Sequence, residues 1–534
     1  MWWRPKFCLL LSLYLGPVLA TELFEEGLNL RPLRDGKVAA HFSFTTLLKG
    51  ATLRDPQSLA SDDDSQHYTL FPLALGQILR EYAVTELHLT LNAGSWDYNR
   101  WGYPDEPGVG TGAELWAWIG DGATISVDQR WQGLRNALAG LFCASLGSLD
   151  EQRTTSPVLT FTPEGNLPNW TASHQLRHAT LPSEHVCTEN LTPFLKLLPC
   201  KSLSGIASLL NPHRLFDADW HGLGVHVRYL QDEGVEVRLA FQAVLDPVRY
   251  SPARRRDWSL RSLFDRVIST ACPVAHSSVI RVDLSLVNSY SITPTPTAVH
   301  DNHAVYPVVP IEQPLDIAMD WPAETTFQYP LVSASPLTPL SIQRTLKGWG
   351  QSDGQLSLVI TNHLPVPLQT GYLETMPWLL QFYLHTLHAQ IDGTTRDDLV
   401  KVITYAAPVP HAQPALLQAV LTLPPRSTLR LTMDVAKPFL RYTEHPPDAQ
   451  RGWDLPPAVF VPFSLDSMGT DDVLRARPTR IYTPALLVDL ATPDFSMPYN
   501  VIIMSCTLIA LMFGSIFNLL TRKFAVVHVG DAPQ

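Results

Sequence analysis

One uncharged apolar run near the C-terminus constrains this chain more than any other feature. Residues 501–520 include no charged side chain, and Arg522 and Lys523 follow directly. A helix of this length spans about 30 Å, which is the thickness of the hydrocarbon core of a bilayer. The sequence therefore predicts a transmembrane helix over residues 499–521, and the basic pair places the tail, residues 522–534, in the cytosol.

A second apolar segment lies at the N-terminus and is of a different kind. Arg4 and Lys6 precede an apolar core over residues 7–15, and Ala20 is a small residue at the expected cleavage point. This pattern is typical of a secretory signal peptide, and it is too short to cross a membrane. We therefore expect residues 1–20 to be removed.

The rival interpretation of the C-terminal run is a GPI-anchor signal. Such signals end in the apolar tail itself, whereas here a basic pair and a further polar segment follow. The pattern favours a single-pass type I membrane protein with its bulk in the lumen of the secretory pathway.

The expected lumenal body of about 480 residues is longer than one hydrophobic core usually supports, so more than one domain is expected. Charged residues make up only 17% of the chain, and it contains 45 prolines. Low charge with many prolines suits a β-rich lumenal protein with ordered loops. The net charge of −11 argues against nucleic acid as a partner.

Residue patterns divide the body into two predicted domains. Residues 21–268 mix helical and strand patterns, which predicts a lumenal α+β domain: helices over 73–82, 127–142 and 259–266, strands over 85–91 and 113–119, and a hairpin over 221–245. Residues 269–498 are dominated by short alternating segments between proline-rich loops, which predicts an antiparallel β-sandwich: 279–287, 355–361, 379–387, 415–423 and 428–435. The fold class is thus a β-rich α+β lumenal ectodomain followed by one transmembrane helix.

Six cysteines occur, of which Cys8 leaves with the signal and Cys506 lies in the membrane run. The other four would face an oxidising compartment: Cys143, Cys187, Cys200 and Cys272. Four cysteines allow three complete pairings, and the sequence alone does not choose among them.

Two N-glycosylation sequons are present, at Asn169 and Asn190. Pro193 follows the second sequon closely, and Cys187 lies near it. We therefore expect Asn169 to be the better acceptor.

No motif in the chain predicts catalysis. It contains no G-x-S-x-G elbow and no H-E-x-x-H pair. The histidines in residues 300–303 lack a partner pair at ligand spacing, and the glycine-rich residues 108–112 lack the Lys-Ser/Thr of a phosphate-binding loop. The basic residues 254–256 are interpreted as an exposed linker. We expect no catalytic residue, no metal and no cofactor.

The predicted membrane helix carries a stripe of small and polar residues. Thr507, Leu511, Gly514 and Asn518 fall on one face. Such stripes let helices approach closely and hydrogen-bond across the interface. We expect Thr507, Gly514 and Asn518 to pack against partner helices, with simple anchoring as the alternative.

Several stretches resemble one known family in order along nearly the whole chain. They are HYTLFPLALGQIL (67–79), GAELWAWI (112–119), FCAS (142–145), VCTENLTPFLKLLPC (186–200), DWSLRSLF (257–264), GWGQSDGQLS (348–357), ETMPWLLQFYLHTL (374–387), RIYTPALLV (480–488), TPDFSMPYNVI (492–502) and LLTRKF (519–524). These segments are similar to those of the PIG-T family, the phosphatidylinositol glycan class T subunits of the GPI transamidase.

The resemblance implies a non-catalytic subunit in the endoplasmic reticulum membrane. Its implied partners are a caspase-like catalytic subunit and multispanning membrane subunits, and through the complex GPI lipid and proprotein substrates. Cys187 matches the family cysteine that forms an intersubunit disulfide with the catalytic subunit. The implied internal pair is then Cys200 with Cys272, and Cys143 would be a buried free thiol on an apolar helical face. A local Cys187–Cys200 bond stays open as the alternative.

Two other classes of protein fit the topology. A lumenal hydrolase would need a nucleophile–base pair, which no motif supplies. A cell-surface adhesion or receptor glycoprotein would account for the strands and the membrane helix but not for the family-like segments.

Overall fold

A computed structural model describes residues 22–62, 68–285, 289–308, 313–329, 335–348, 350, 352–445, 452–463, 479–491, 496–524 and 527. The expected signal peptide, residues 1–20, lies outside these ranges.

An eleven-stranded sheet dominates the first 310 residues of the described chain. Its strands are β1 (Glu22–Pro32), β2 (Val38–Lys49), β3 (Val84–Ala93), β4 (Gly112–Gly120), β5 (Thr154–Thr155), β6 (His174–Leu181), β7 (Trp220–Leu230), β8 (Gly234–Leu245), β10 (Ser277–Asp283), β12 (Ala298–His300) and β13 (His303–Pro307). Their spatial order is β12-β13-β10-β1-β2-β8-β7-β3-β4-β6-β5. We call this the large sheet.

The large sheet is antiparallel except where β1 pairs with β10 in parallel. The predicted hairpin over 221–245 is confirmed as β7 and β8, which pair from Trp220 with Val244 to Leu230 with Gly234. Strands β10, β12 and β13 continue this sheet beyond residue 268, where the sequence places the domain boundary. A further small sheet contains β9 (Trp258–Ser259), β11 (Ser291–Thr293) and β14 (Ala318–Asp320).

The described residues form eight α-helices, seven of which lie before residue 270. They are α1 (Leu73–Glu81), α2 (Tyr98–Trp101), α3 (Val127–Phe142), α4 (Thr188–Leu197), α5 (Pro212–Leu215), α6 (Pro247–Tyr250), α7 (Leu260–Phe264) and α8 (Ser496–Thr521). The helices predicted at 73–82, 127–142 and 259–266 are therefore confirmed. Six short 3-10 helices add turns at Pro56–Ala60, Leu146–Ser148, Ile206–Leu209, Leu384–Thr386, Asp397–Leu399 and Tyr442–Glu444.

Helices cover one face of the large sheet. In β4, Leu115 and Ile119 point into the same hydrophobic core as Trp131 and Leu138 of α3. Ser126 caps α3 by accepting a hydrogen bond from the Gln129 N–H, which satisfies one of the free donors of the first turn.

Two antiparallel sheets make up most of the C-terminal region. The first contains β15 (Leu340–Lys347), β16 (Asp353–Asn362), β18 (Gln381–Phe382), β19 (His388–Ile391), β20 (Thr394–Thr395) and β23 (Thr428–Ala436). The second contains β17 (Leu368–Met376), β21 (Val400–Ala406), β22 (Ala415–Leu423), β25 (Val459–Phe463) and β26 (Ile481–Tyr482), in the order β21-β22-β17-β25-β26. A separate pair joins β24 (Trp453–Leu455) to β27 (Leu486–Val488).

One predicted strand of this region is wrong. Residues 379–387 contain only the two-residue β18 and a 3-10 helix, because the chain turns after Pro377, whose carbonyl accepts a hydrogen bond from Leu380. The strands predicted at 355–361, 415–423 and 428–435 are confirmed as β16, β22 and β23.

The other face of the large sheet packs against the C-terminal region. Trp116 and Trp118, which alternate with the helix-facing residues of β4, share a hydrophobic core with Leu358, Tyr372 and Leu417 of the two C-terminal sheets. The central strands of the large sheet are therefore buried on both faces, and the two hydrophobic cores make the N-terminal and C-terminal regions one packed body.

Helix α8 carries the apolar run. Residues Tyr499–Thr521 are long and apolar enough to cross a membrane, and none of the most apolar window is buried within the described structure. Unlike the sheets, this helix exposes its apolar side chains, as expected for a helix that is surrounded by lipids or by other membrane helices.

Candidate functional site

Cys187 lies at the N-terminus of α4, between the helical layer and solvent. It is the N-cap residue, with an extended backbone (φ −132°, ψ 175°), and its thiol is free and exposed. Val186 before it is buried, which fixes the entry of the chain into the helix. The cysteine is therefore presented to solvent from an anchored backbone.

Asn190 anchors this backbone from within the protein. The Asn190 amide is buried; its Oδ1 accepts a hydrogen bond of 2.7 Å from the Cys187 N–H. Its Nδ2 donates to the carbonyls of Phe142 and Cys143, at 2.8 and 3.2 Å. One side chain thus joins the start of α4 to the end of α3. N-glycosylation would replace one Nδ2 hydrogen and so remove at least one of the two donated bonds. Which sequon is the better acceptor stays a prediction.

Cys143 is not the buried thiol that the helical pattern predicts. The helix α3 ends at Phe142, and Cys143 adopts the left-handed C-cap conformation (φ 53°, ψ 42°) with an exposed, free thiol. The left-handed residue turns the side chain away from the apolar face that the helical pattern would continue.

Cys200 and Cys272 are joined by a disulfide, with 5.9 Å between their Cα atoms. The bond links the segment after α4 to the segment before β10. It also leaves Cys200 unable to pair with Cys187, so the local loop that the sequence left open is absent in this structure.

The sequon asparagine Asn169 lies in an exposed loop. The next residue, Trp170, stacks on His174 with 5.1 Å between ring centroids. Glycosylation at Asn169 stays a prediction.

The predicted packing residues of the membrane helix lie on a free surface. Thr507 donates its hydroxyl to the Ile503 carbonyl at 2.8 Å, so it is internally satisfied. A Cβ atom added at Gly514 would meet no other described atom within 4 Å. Asn518 is exposed near the C-terminal end of α8. Packing of this stripe on partner helices stays a prediction.

A layer of buried polar residues lies between the large sheet and the C-terminal region, and the sequence patterns did not predict it. We define it as Glu86, His88, Glu106, Glu114, Glu164, His178, His226, Arg238, Arg480 and Tyr482. In β3, polar and apolar residues alternate, which predicts one solvent-exposed face. Both faces are buried instead: Glu86 and His88 are at most 2% exposed. The loop at Glu164 and Gly165 lies over Glu86, and Arg480 of the C-terminal region holds that loop.

Glu106 and Arg238 form one charge pair of this layer. The Arg238 Nε and Nη2 atoms lie 2.9 and 3.0 Å from the Glu106 carboxylate. Burial alone would raise the pKa of Glu106, but the neighbouring His41 imidazole and the Arg238 charge hold it well below its ordinary value. The pair is therefore an ionised, buried salt bridge.

Arg480 links the C-terminal region to the large sheet. It donates to Glu164 Oε1 from both Nη atoms, at 3.0 and 3.1 Å, and from Nε to the Thr160 carbonyl at 3.2 Å. Its guanidinium also lies 4.8 Å from the ring centroids of Trp116 and Phe161, within cation–π range. Burial would raise the pKa of Glu164, but the neighbouring His88 side chain and the Arg480 guanidinium lower it to about 2.

Tyr482 continues the same link from β26. Its hydroxyl donates to Glu114 Oε2 at 2.7 Å, and Glu114 Oε1 lies 3.0 Å from His178 Nε2. The Tyr482 N–H donates to the Tyr98 hydroxyl at 3.0 Å. Burial raises the pKa of Tyr482 well above its ordinary value, so the phenol stays a donor.

Two hydrogen-bonded histidines complete the layer. His88 Nδ1 lies 2.9 Å from His226 Nδ1, and His88 Nε2 lies 3.0 Å from Glu86 Oε1. Glu86 also accepts 2.8 Å hydrogen bonds from the Glu164 and Gly165 N–H groups. Because these groups are buried and bonded to one another and to backbone N–H groups, we assign the layer a structural role.

A match along nearly the whole chain shows which family it belongs to. A family model described as "Gpi16 subunit, GPI transamidase component" matches residues 8–256 and 247–534. The chain belongs to the Gpi16 family. This confirms the PIG-T resemblance, because the family includes the relatives named PIGT and GPI16.

Curated relatives of this Gpi16-family chain match it almost end to end. The mouse protein named "GPI-anchor transamidase component PIGT" is 35% identical over 551 residues, which cover 95% of this chain and 90% of that protein. The human protein of the same name is 34% identical, with 97% and 94% covered. The Saccharomyces cerevisiae protein named "GPI transamidase component GPI16" is 30% identical, with 95% and 90% covered.

The polar layer predicts a large effect at Arg480. Replacing Arg480 with methionine keeps most of the volume but leaves Glu164 buried without its cation, which costs about 3–5 kcal/mol. Denaturant unfolding followed by tryptophan fluorescence measures the loss. Arg430→Met, at an exposed position of β23, is the matched control and changes stability by less than about 0.5 kcal/mol. Equal effects at the two positions would contradict the assignment.

The layer also predicts a loss of stability on mild acidification. Burial lowers the pKa of His226 well below its ordinary 6.5. Below pH 6.5 this histidine is therefore protonated in the unfolded chain but stays neutral in the folded chain. Stability therefore falls as pH drops below 6.5, by at most about 1.4 kcal/mol per pH unit for this histidine. The carboxylates with lowered pKa values, Glu106 and Glu164, keep their contributions until more acid pH.

The measurement is the denaturant concentration at the unfolding midpoint, recorded from about pH 7.5 to about pH 5.5. This range brackets the pKa of an ordinary histidine, about 6.5. His226→Gln removes one titrating group and makes the pH dependence shallower. A wild-type midpoint that does not move over this range would rule out a neutral buried His226.

Proposed function

We propose that this chain is a non-catalytic scaffolding subunit of the GPI transamidase in the endoplasmic reticulum membrane. The observation that carries the proposal is the match of the Gpi16 family model to nearly the whole chain, together with curated relatives named as components of that enzyme. The rival receptor function has no support of this kind.

The proposed topology places the large sheet and the C-terminal sheets in the lumen, with α8 across the membrane and the tail in the cytosol. The two C-terminal sheets, which share one core, form the antiparallel β-sandwich of this proposal. Because the polar layer joins them to the large sheet, the scaffold holds lumenal surfaces at fixed positions above α8.

The proposed covalent contact is an intersubunit disulfide from Cys187 to the caspase-like catalytic subunit. Two features support it: the thiol is exposed and free, and its backbone is held by the buried Asn190. A crosslink makes the remaining contacts between two subunits intramolecular and raises their effective concentration to about the millimolar range. Weak contacts then suffice to keep the catalytic subunit on the scaffold, from which the complex acts on GPI lipid and proprotein.

Cys187→Ser should abolish the reducible heterodimer. Serine keeps the N-cap geometry of α4, so the fold is retained while the crosslink is lost. Non-reducing gels of the complex measure the outcome. Cys143→Ser, which removes the other exposed free thiol of the described lumenal chain, is the matched control and leaves the heterodimer intact. A heterodimer band that persists in Cys187→Ser would refute the tether.

Gly514→Leu should weaken recovery of the multispanning subunits in detergent. The chain itself has room for the larger side chain, so the loss would come from a partner helix that can no longer approach closely. Ser505→Leu makes a similar enlargement on the opposite face of α8, nine residues away, and serves as the control. Unchanged recovery with Gly514→Leu would favour simple anchoring.

Loss of the chain tests the proposed function as a whole. Cells without it should accumulate proproteins that retain their C-terminal GPI signals, measured by immunoblot against a wild-type complement. Normal anchoring would contradict the proposed function.

A further inference from the structure

Strand β21 is an edge strand with unusual exposure. It is the terminal strand of the second C-terminal sheet and pairs only with β22 among the described strands. Residues 401–405 are all exposed, so neither face of the strand is covered. The opposite edge strand, β26, is buried.

The exposed side chains of β21 are mostly apolar. Val402, Ile403 and Tyr405 are 44, 47 and 41% exposed, and Lys401 carries the strand's one charge. Long apolar edge strands attract other strands, and soluble proteins usually protect them with charges, proline or a covering element. Lys401 and a register shift between Val402 and Thr404 are the protective features here.

The backbone of β21 is also open on its outer side. Within the described ranges, its main-chain hydrogen bonds run to β22, and residues 400–406 make no other backbone hydrogen bond. A row of free N–H and C=O groups is the surface to which an extended peptide adds as a new strand.

A groove runs along one face of β21 and its neighbour β22. A cavity of about 420 Å³ is lined by Thr404 and Ala406 of β21, by Leu416 and Gln418 of β22, by Trp131 of α3, and by Thr154 and Thr155 of β5. Because β5 is the last strand of the large sheet, the edges of two sheets meet at one groove. The cavity offers space for side chains of a strand added to β21.

The groove and the Cys187 corner, which we define as Cys187, Asn190 and the Phe142 end of α3, lie at opposite ends of one helix. Asp128, in the first turn of α3, lines the cavity, and Phe142, at the other end, contacts Asn190 beneath Cys187. The two ends are about 21 Å apart along the helix axis. A globular protein attached at Cys187 is wide enough to reach the groove.

We propose that β21 and its groove take up an extended strand of the same subunit that is tethered at Cys187. This proposal rests on the proposed function for the identity of the partner. The strand pairs with the outer edge of β21, places alternate apolar side chains against Val402 and Tyr405, and sends others into the groove. The occupant is a partner segment rather than a second copy of this chain, since the irregular register at residue 403 would occur on both strands of a self-pair and limit their pairing.

Hydrogen exchange on the assembled complex tests strand addition directly. Amides of β21 should exchange at least about tenfold more slowly in the complex than in the isolated full-length chain in detergent. The amides of β12, an edge strand of the large sheet whose three residues are exposed, serve as the internal comparison and should not change. Equal β21 exchange in the two samples would overturn the proposal.

Substitution tests the contribution to binding. In a Cys187→Ser background, where only non-covalent contacts remain, Val402→Lys with Tyr405→Lys should lower recovery of the catalytic subunit by about tenfold or more. Val299→Lys, at a 61% exposed position of β12, is the matched control and should leave recovery unchanged. Thermal unfolding of the variant chains checks that each folds.

Two further outcomes would contradict the proposal. Protection of β21 in the isolated chain that rises with protein concentration would identify a second copy as the occupant. Crosslinks from β21 to a different subunit would refute the assignment to the tethered one. An intact Cys187 heterodimer on the non-reducing gel together with unprotected β21 would leave the proposed function standing and reject the strand addition alone.

Discussion

The contact of Arg480 with Glu164 is the interaction on which the joint between the two β-rich regions depends. A guanidinium from the start of β26 enters a buried site on the large sheet, where a carboxylate, a backbone carbonyl and two aromatic rings surround it. A buried charge is costly unless its partner is present. The correct docking of the two regions is therefore favoured over a shifted one, because a shift would leave several buried charges without their partners.

This joint gives the proposed scaffold its rigidity. The large sheet is covered by helices on one face and by the C-terminal region on the other. The Cys187 corner belongs to the helical face, and the β21 edge belongs to the C-terminal region. Since both are parts of one packed body, a partner attached at Cys187 would meet the β21 groove at a fixed distance and angle.

Much of this fold was predictable from local pattern. The apolar run of α8, the hairpin of β7 and β8, and the amphipathic α3 each carry their periodicity within a short window, and the structure confirms them. The polar layer was not predictable in this way. Glu86 and His88 alternate with leucines as they would on a half-exposed strand. Only distant segments, the loop at Glu164 and the Arg480 side chain bound to it, make their face an interior one. The exposed position of Cys143 was missed for a similar reason, since periodicity does not show where a helix ends.

We propose that this chain holds the catalytic subunit covalently through Cys187. The most direct measurement is mass spectrometry of peptides from the complex, purified from membranes with thiols blocked and without reduction. The account predicts a crosslinked peptide in which Cys187 is joined to a cysteine of the caspase-like subunit, beside an internal Cys200–Cys272 peptide. Recovery of Cys187 as a blocked free thiol, or joined to Cys143 of the same chain, would contradict it.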